Sequence, residues 1–251
     1  MQPSRATQVA ALNARYRHHG ATDVVAAALS GDLGRVAMVS SFGAESVVLL
    51  HMLAVTRPDT PVLFLNTGFL FTETLVYQQE LAERLHLRDI RILSPDAIEA
   101  ARADAQGILH QSQPDACCDL RKRAPLQKAL AGFDSWITGR KRFQAVTRQA
   151  LQHFEVERGT RRIKVNPLAF WAAADVQTYM DENRLPRHPL VVRGYPSIGC
   201  APCTQPVAEG DDPRSGRWAG QEKTECGLHM VNGRLIPNKT PNRPKTTGET
   251  V

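Results

Sequence analysis

Between residues 36 and 93 short apolar runs alternate with longer segments that carry apolar residues at helical spacing. Val36-Ala37-Met38-Val39, Val62-Leu63-Phe64-Leu65 and Ile90-Arg91-Ile92-Leu93 read as strands. The first two are continuously apolar, as a strand covered on both faces requires. Between them, Ser46–Thr56 and Thr72–Leu85 read as helices, the first ended by Pro58. Strands alternating with helices of that length predict βαβ units. Phe133–Thr138 and Arg162–Val165 add two expected strands, Ala173–Glu182 a helix, and the first 34 residues one or two more helices. The predicted class is α/β, with a mostly parallel central sheet flanked by helices. From Pro186 neither period persists and Pro and Gly become frequent, which predicts a loop-rich C-terminal segment. Residues 1–238 are expected to form a single domain and 239–251 a flexible tail.

Composition narrows this picture modestly. Of 251 residues, 42% are hydrophobic and 22% charged, the balance of a water-soluble chain with a substantial core. No apolar run approaches a membrane span, and the polar start Met1-Gln2-Pro3-Ser4-Arg5 lacks the apolar centre of a secretory signal, so a cytoplasmic location without membrane contact is expected. There, an odd cysteine count of five argues for metal or redox use rather than a disulfide scaffold. The net charge of +6 favours an anionic ligand. Its basic residues are spread out, and only three Trp and four Tyr accompany them, which argues against a nucleic-acid partner.

The candidate chemistry lies in two loops and the cysteines. Ser40-Ser41-Phe42-Gly43 sits where the first strand meets a helix, a place where small residues and a helix N-terminus favour anions. A simple helix cap by Ser40 or Ser41 is the competing reading. Cys117 and Cys118 are adjacent, with Asp115 expected to cap their helix and Lys122 one turn further on. Neighbouring side chains diverge by about 100° on a helix, so they share one site only around a bulky centre. An iron–sulfur cubane suits that better than a single zinc ion, although zinc stays open. Cys200-Ala-Pro-Cys203 would complete the set, or act as a redox dithiol. Cys226 stands alone in Glu225-Cys226-Gly227-Leu228-His229, with Lys223 nearby and Arg214 and Arg217 upstream; positive neighbours favour a nucleophilic thiolate.

Taken together, Ser40-Ser41-Phe42-Gly43, Leu65-Asn66-Thr67-Gly68, Cys117-Cys118-x3-Lys122, Trp136-Ile137-Thr138-Gly139-Arg140-Lys141-Arg142, Gly199-Cys200-x-x-Cys203 and the Cys226 motif resemble the assimilatory sulfonucleotide reductases. The match is to the bacterial iron–sulfur type acting on adenosine 5′-phosphosulfate (APS). Relatives acting on the 3′-phosphorylated nucleotide usually lack both cysteine pairs, which this chain has. The resemblance implies a fold like the adenine-nucleotide α-hydrolases. It places Ser40, Ser41, Phe42, Gly43, Asn66, Thr67 and Gly68 at the nucleotide. Lys122, Arg148, Arg214 and Arg217, with Arg142 of the basic stretch, would surround the phosphosulfate. It implies one 4Fe-4S cluster on Cys117, Cys118, Cys200 and Cys203. Cys226 would be the nucleophile and His229 its helper, on an active-site segment spanning 206–230. Reduced thioredoxin (or a glutaredoxin-like donor) is the implied partner, and a homo-oligomer the implied assembly. The implied reaction is reduction of APS to sulfite and AMP through a Cys226 S-sulfonate. Where many members have an acidic residue, Phe143 stands. The competing readings are a reductase of the 3′-phosphorylated nucleotide, a tRNA-thiolating enzyme and a nucleic-acid-binding metal protein.

Overall fold

The computed structural model describes residues 4–219. Six strands form one sheet in the order β3-β2-β1-β4-β6-β5. They are β1 (Val36–Ser40), β2 (Val62–Leu65), β3 (Ile90–Leu93), β4 (Ser135–Thr138), β5 (Phe154–Val156) and β6 (Ile163–Val165). Every pairing is parallel except β5 with β6. The strand alternation sorts side chains onto two faces. Met38, Val62, Phe64 and Ile137 join the larger core. Ala37, Leu63, Leu65 and Trp136 join a smaller one on the opposite face.

Helices cover both faces. On the larger side lie α1 (Arg5–Arg15), α2 (Ala21–Ala28), α3 (Ser46–Thr56) and α4 (Thr72–Arg84). Helix α3 explains the near-continuous apolar run Val47–Leu50. It buries Val47, Val48, Leu49, Leu50, Met52 and Leu53, as a helix enclosed on most sides must. After β3 come α5 (Ala97–Ala103), α6 (Leu109–Ser112) and α7 (Pro114–Cys118), then a π-helical turn over Asp119–Arg123 and α8 (Ala124–Leu130). Leu126 and Leu130 of α8 close the smaller core. Helix α9 (Ala173–Glu182) returns to pack against α3.

The predicted strands and the three helices assigned individually are present, with small changes at their ends. The expected strand at Phe133 begins only at Ser135, because Phe133 still donates its N–H to the Leu130 carbonyl and closes the end of α8. Asp115 does not cap α7: Pro114 occupies the first helical turn behind Gln113, leaving Asp115 inside that turn. Strand β5 was not expected. It is an antiparallel edge whose free side is closed by Asn13, which exchanges both hydrogen bonds with the Phe154 backbone.

Chain order sets the site. The path runs outward from β1 through β2 to β3, then resumes at β4 on the other side of β1. The crevice at the carboxyl ends of β1 and β4 is therefore the switch point where open α/β sheets bind ligands.

Candidate active site

A cavity of about 240 Å³ opens at that crevice. Ser40, Ser41 and Gly43 line it from the loop after β1, Thr67 from the loop after β2, and Thr138 and Gly139 from the end of β4. Its lining includes Lys122, Arg140, Lys141, Arg148, Arg214 and Arg217, against one acid, Glu45. Leu65, Leu70 and Leu126 are among its apolar lining residues. A ligand that is part flat and apolar and part anionic fits this mixed lining.

The first loop is shaped by strain rather than by capping. Phe42 holds φ at 48°, a conformation costly for a bulky residue, and its ring is wholly buried edge-on against Phe64 at 5.1 Å. Phe42 itself is outside the cavity lining; its burial fixes the backbone that presents Ser41 and Gly43. Ser40 Oγ accepts from the Phe42 N–H at 3.2 Å, and Gly43 N–H donates to Ser46 Oγ at 3.0 Å. Neither Ser40 nor Ser41 caps α3, whose N-cap is Glu45.

In the second loop, Asn66 Oδ1 accepts from the Gly68 N–H, an Asx turn for which Gly68 supplies φ of 77°. Asn66 and Gly68 shape the loop from outside the lining, whereas Thr67 reaches in. Thr67 Oγ1 also lies 3.2 Å from Cys200 Sγ. The Cys200–Cys203 turn is sewn to the same loop: Leu70 and Cys200 form an antiparallel bridge, and Ala201 N–H donates to the Phe69 carbonyl at 2.7 Å.

Arg121, which sequence reasoning did not single out, joins this loop to the other cysteine pair. Its guanidinium donates to the Thr67 carbonyl at 3.0 Å and to Asp104 at 2.8 Å, and stacks over Phe69 at 4.0 Å. The ion pair is buried, with side-chain exposures of 10% and 1%. Burial works against the Asp104 carboxylate, yet hydrogen bonds from Arg121 and the Leu109 N–H hold its pKa below the ordinary value. The π-helical turn that carries Arg121 also re-aims Lys122 into the cavity, a use typical of such turns.

The four predicted ligands lie within electrostatic reach of one another. Burial pushes the Cys117 thiol up to about 11, with further upward pressure from Cys118, Cys200 and Cys203. Cys203 is raised by burial and by Cys200 and Cys118, opposed by Lys122 and Arg217. Thiols gathered and mostly buried in this way suit a cationic centre that binds them as thiolates. Among the described residues no three Cys, His, Asp or Glu are placed to grip a single metal ion.

Arg214 and Arg217 fold back over this turn. Thr204 and Arg217 form a bridge, Trp218 N–H donates to the Cys203 carbonyl, and Arg217 lies so close over Gly199 that a Cβ there would overlap its guanidinium. Arg217 Nε is buried with no hydrogen-bond partner among the described residues, a donor poised for an anion.

Facing them, the loops after β1 and β4 are locked together. Lys141 Nζ donates to Glu45 at 2.8 Å and to the Gly139 carbonyl at 3.2 Å, and Gln144 bridges Glu45 to Arg148. Burial lowers the Lys141 pKa and Glu45 opposes that shift. Its neighbour Arg142 turns away: Nε donates to the Leu151 carbonyl and the guanidinium stacks on Phe170 at 3.9 Å. Arg142 is thus the one predicted cation that the fold takes out of the cavity. Phe143 is 46% exposed. Cys226 and His229 lie outside the described residues.

A family model described as phosphoadenosine phosphosulfate reductase domain matches residues 35–206. A protein of Mesorhizobium japonicum named adenosine 5′-phosphosulfate reductase is 50% identical, covering 90% of this chain and 88% of its own. A protein of the same name from Chelativorans sp. is 48% identical over 90% of this chain and 93% of its own. Among solved structures, phosphoadenylyl-sulfate (PAPS) reductase from Candida auris, crystallised with phosphate, superposes with a TM-score of 0.70 at 27% identity, covering 82% of this chain and 99% of that one.

Proposed function

The chain belongs to the phosphoadenosine phosphosulfate reductase domain family, and we propose that it reduces adenosine 5′-phosphosulfate to sulfite and AMP with electrons from reduced thioredoxin. The observation that carries this reading is a cationic wall at the switch-point cavity with Cys200 in its lining and Cys203 within electrostatic reach of Lys122 and Arg217. Relatives at 50% and 48% identity are named for APS, whereas the structure at 27% is named for the 3′-phosphorylated nucleotide, which favours the former substrate.

Apolar lining residues such as Leu65, Leu70 and Leu126 take the adenine, and Lys122, Arg148, Arg214 and Arg217 take the phosphosulfate. Guanidinium forks pair with phosphate or sulfate oxygens and offset the repulsion a thiolate meets on approach. The Cys226 thiolate attacks the sulfur of APS; the anhydride S–O bond breaks and its electron pair leaves with AMP. A thioredoxin thiolate then attacks Cys226 Sγ, expelling sulfite and forming a mixed disulfide. The second thioredoxin thiol resolves it, so the dithiol supplies both electrons. The cationic wall stabilises the charge gathering on the leaving phosphate.

Cys117, Cys118, Cys200 and Cys203 would hold a 4Fe-4S cluster. When bound, it supplies a fixed charge and a cross-link between two chain segments, with Lys122 beside it. Turnover of APS and of its 3′-phosphorylated form, side by side with reduced thioredoxin and the full chain, tests the assignment. Sulfite release at least tenfold more efficient from APS is expected; a preference for the 3′-phosphorylated nucleotide would overturn it.

A further inference from the structure

His188 lies wholly inside the protein, between the Tyr77 ring and the start of α4, and the proposed reaction does not use it. Both its ring nitrogens are engaged. Nδ1 stands 3.2 Å from the Leu190 backbone nitrogen, whose N–H can only donate. Nδ1 is therefore the acceptor, and the ring proton sits on Nε2. Burial lowers the imidazole pKa to about 4, against a small opposing pull from Glu73, so the ring is neutral with a single proton. That proton points at Thr74 Oγ1, 3.1 Å away.

The consequence falls on Thr74. Its oxygen is occupied as an acceptor by a donor that cannot reverse direction. Its own proton must then be given elsewhere, and among the described residues Thr74 Oγ1 makes no other hydrogen bond. Thr74 is 1% exposed, yet it lines the cavity, as do Leu65, Leu70 and Leu126. A buried hydroxyl proton without a partner costs free energy unless a ligand accepts it.

We propose that Thr74 donates a hydrogen bond to a ring nitrogen of the bound nucleobase, and that His188 is the positioning residue that fixes Thr74 as a donor. The proposal rests on reading this cavity as the nucleotide site. It gives the base a directional polar contact, able to separate an acceptor at that ring position from a C–H.

Calorimetric titration of the full chain with AMP tests it. Thr74→Val keeps the shape and removes the hydroxyl; it should weaken AMP binding about tenfold. Thr74→Ser should bind within about twofold of the native protein. The deaza analogues of AMP, each lacking one ring nitrogen, supply the direct readout. One of them should bind the native protein about tenfold more weakly than AMP, yet bind Thr74→Val no worse than AMP does. Because His188→Phe risks misfolding, His188→Asn is the better second variant. It should fall between native and Thr74→Val while keeping the cooperative melt. Native-like AMP binding by Thr74→Val, or a deaza penalty undiminished in that variant, overturns the proposal while leaving the nucleotide site intact. Failure of the native protein to bind AMP at all would overturn the site assignment and this inference together.

Discussion

The two cysteine-bearing segments reach the same place by different means. Cys117 and Cys118 sit on α7, where neighbouring backbone hydrogen bonds and the following π-turn position them. Cys200 and Cys203 sit on a turn whose form depends on distant residues: Thr67 and Phe69 more than 130 positions earlier, and Thr204, Arg217 and Trp218 after it. A helix carries its own geometry, whereas a turn must borrow it. Arg121 couples the two, because it belongs to the helical segment and grips the loop to which the turn is sewn.

The strongest way to break this contrast is Arg121→Leu. It leaves Asp104 buried without its partner, and should cost about 3–5 kcal/mol in urea denaturation, with a parallel loss of bound iron. Undiminished stability and iron content would show that the two segments hold independently. Arg217→Lys acts on the turn side alone. It removes the fork of a cavity-lining residue whose buried Nε has no hydrogen-bond partner among the described residues, and should raise KM for APS about tenfold at nearly native stability. An unchanged KM would remove Arg217 from the anion wall.

Acid tests the coupling from the other partner. The Asp104 pKa in the folded protein is depressed, so its contribution is present above the ordinary carboxylate value and lost as pH falls through the folded one. Urea midpoints should therefore drop below about pH 4, and Asp104→Asn should flatten that part of the profile from a lower starting stability. A profile of unchanged slope would contradict the pairing. The smallest effect is expected from Thr67→Val, which removes only the hydroxyl near Cys200 Sγ. Loss under chelator of the absorbance near 400 nm expected of the proposed cluster should quicken a few-fold, with the same change absent in a conservative substitution on the α7 side.

Much of the architecture was legible because its central strands are continuous apolar runs. Val62–Leu65 can only be a strand buried on both faces, and α3 can only be an enclosed helix. Strand β5 escaped, since three residues of antiparallel edge carry too little pattern, and its partner Asn13 lies 141 positions away. The site divides along the same line. Local motifs flagged Ser40, Gly43, Thr67 and both cysteine pairs. Arg121 with Asp104, Lys141 with Glu45, and His188 with Thr74 stand 17, 96 and 114 positions apart, and no local pattern links them. Of the neighbours Lys141 and Arg142, the one that enters the cavity is decided by the backbone after β4, not by residue type. Phe42 stands outside the cavity lining, and its strained φ and buried ring, which no local pattern shows, shape the loop beside it.

The proposed reaction turns on covalent sulfur transfer at one thiol, with an anion site that the two segments help to build. The most direct measurement is sulfite released from APS in the presence of reduced thioredoxin, native chain against Cys226→Ser, with iron content and AMP binding measured on both. Cys226→Ser should keep its iron, still bind AMP and release no sulfite above background. Undiminished sulfite release by the variant would contradict it.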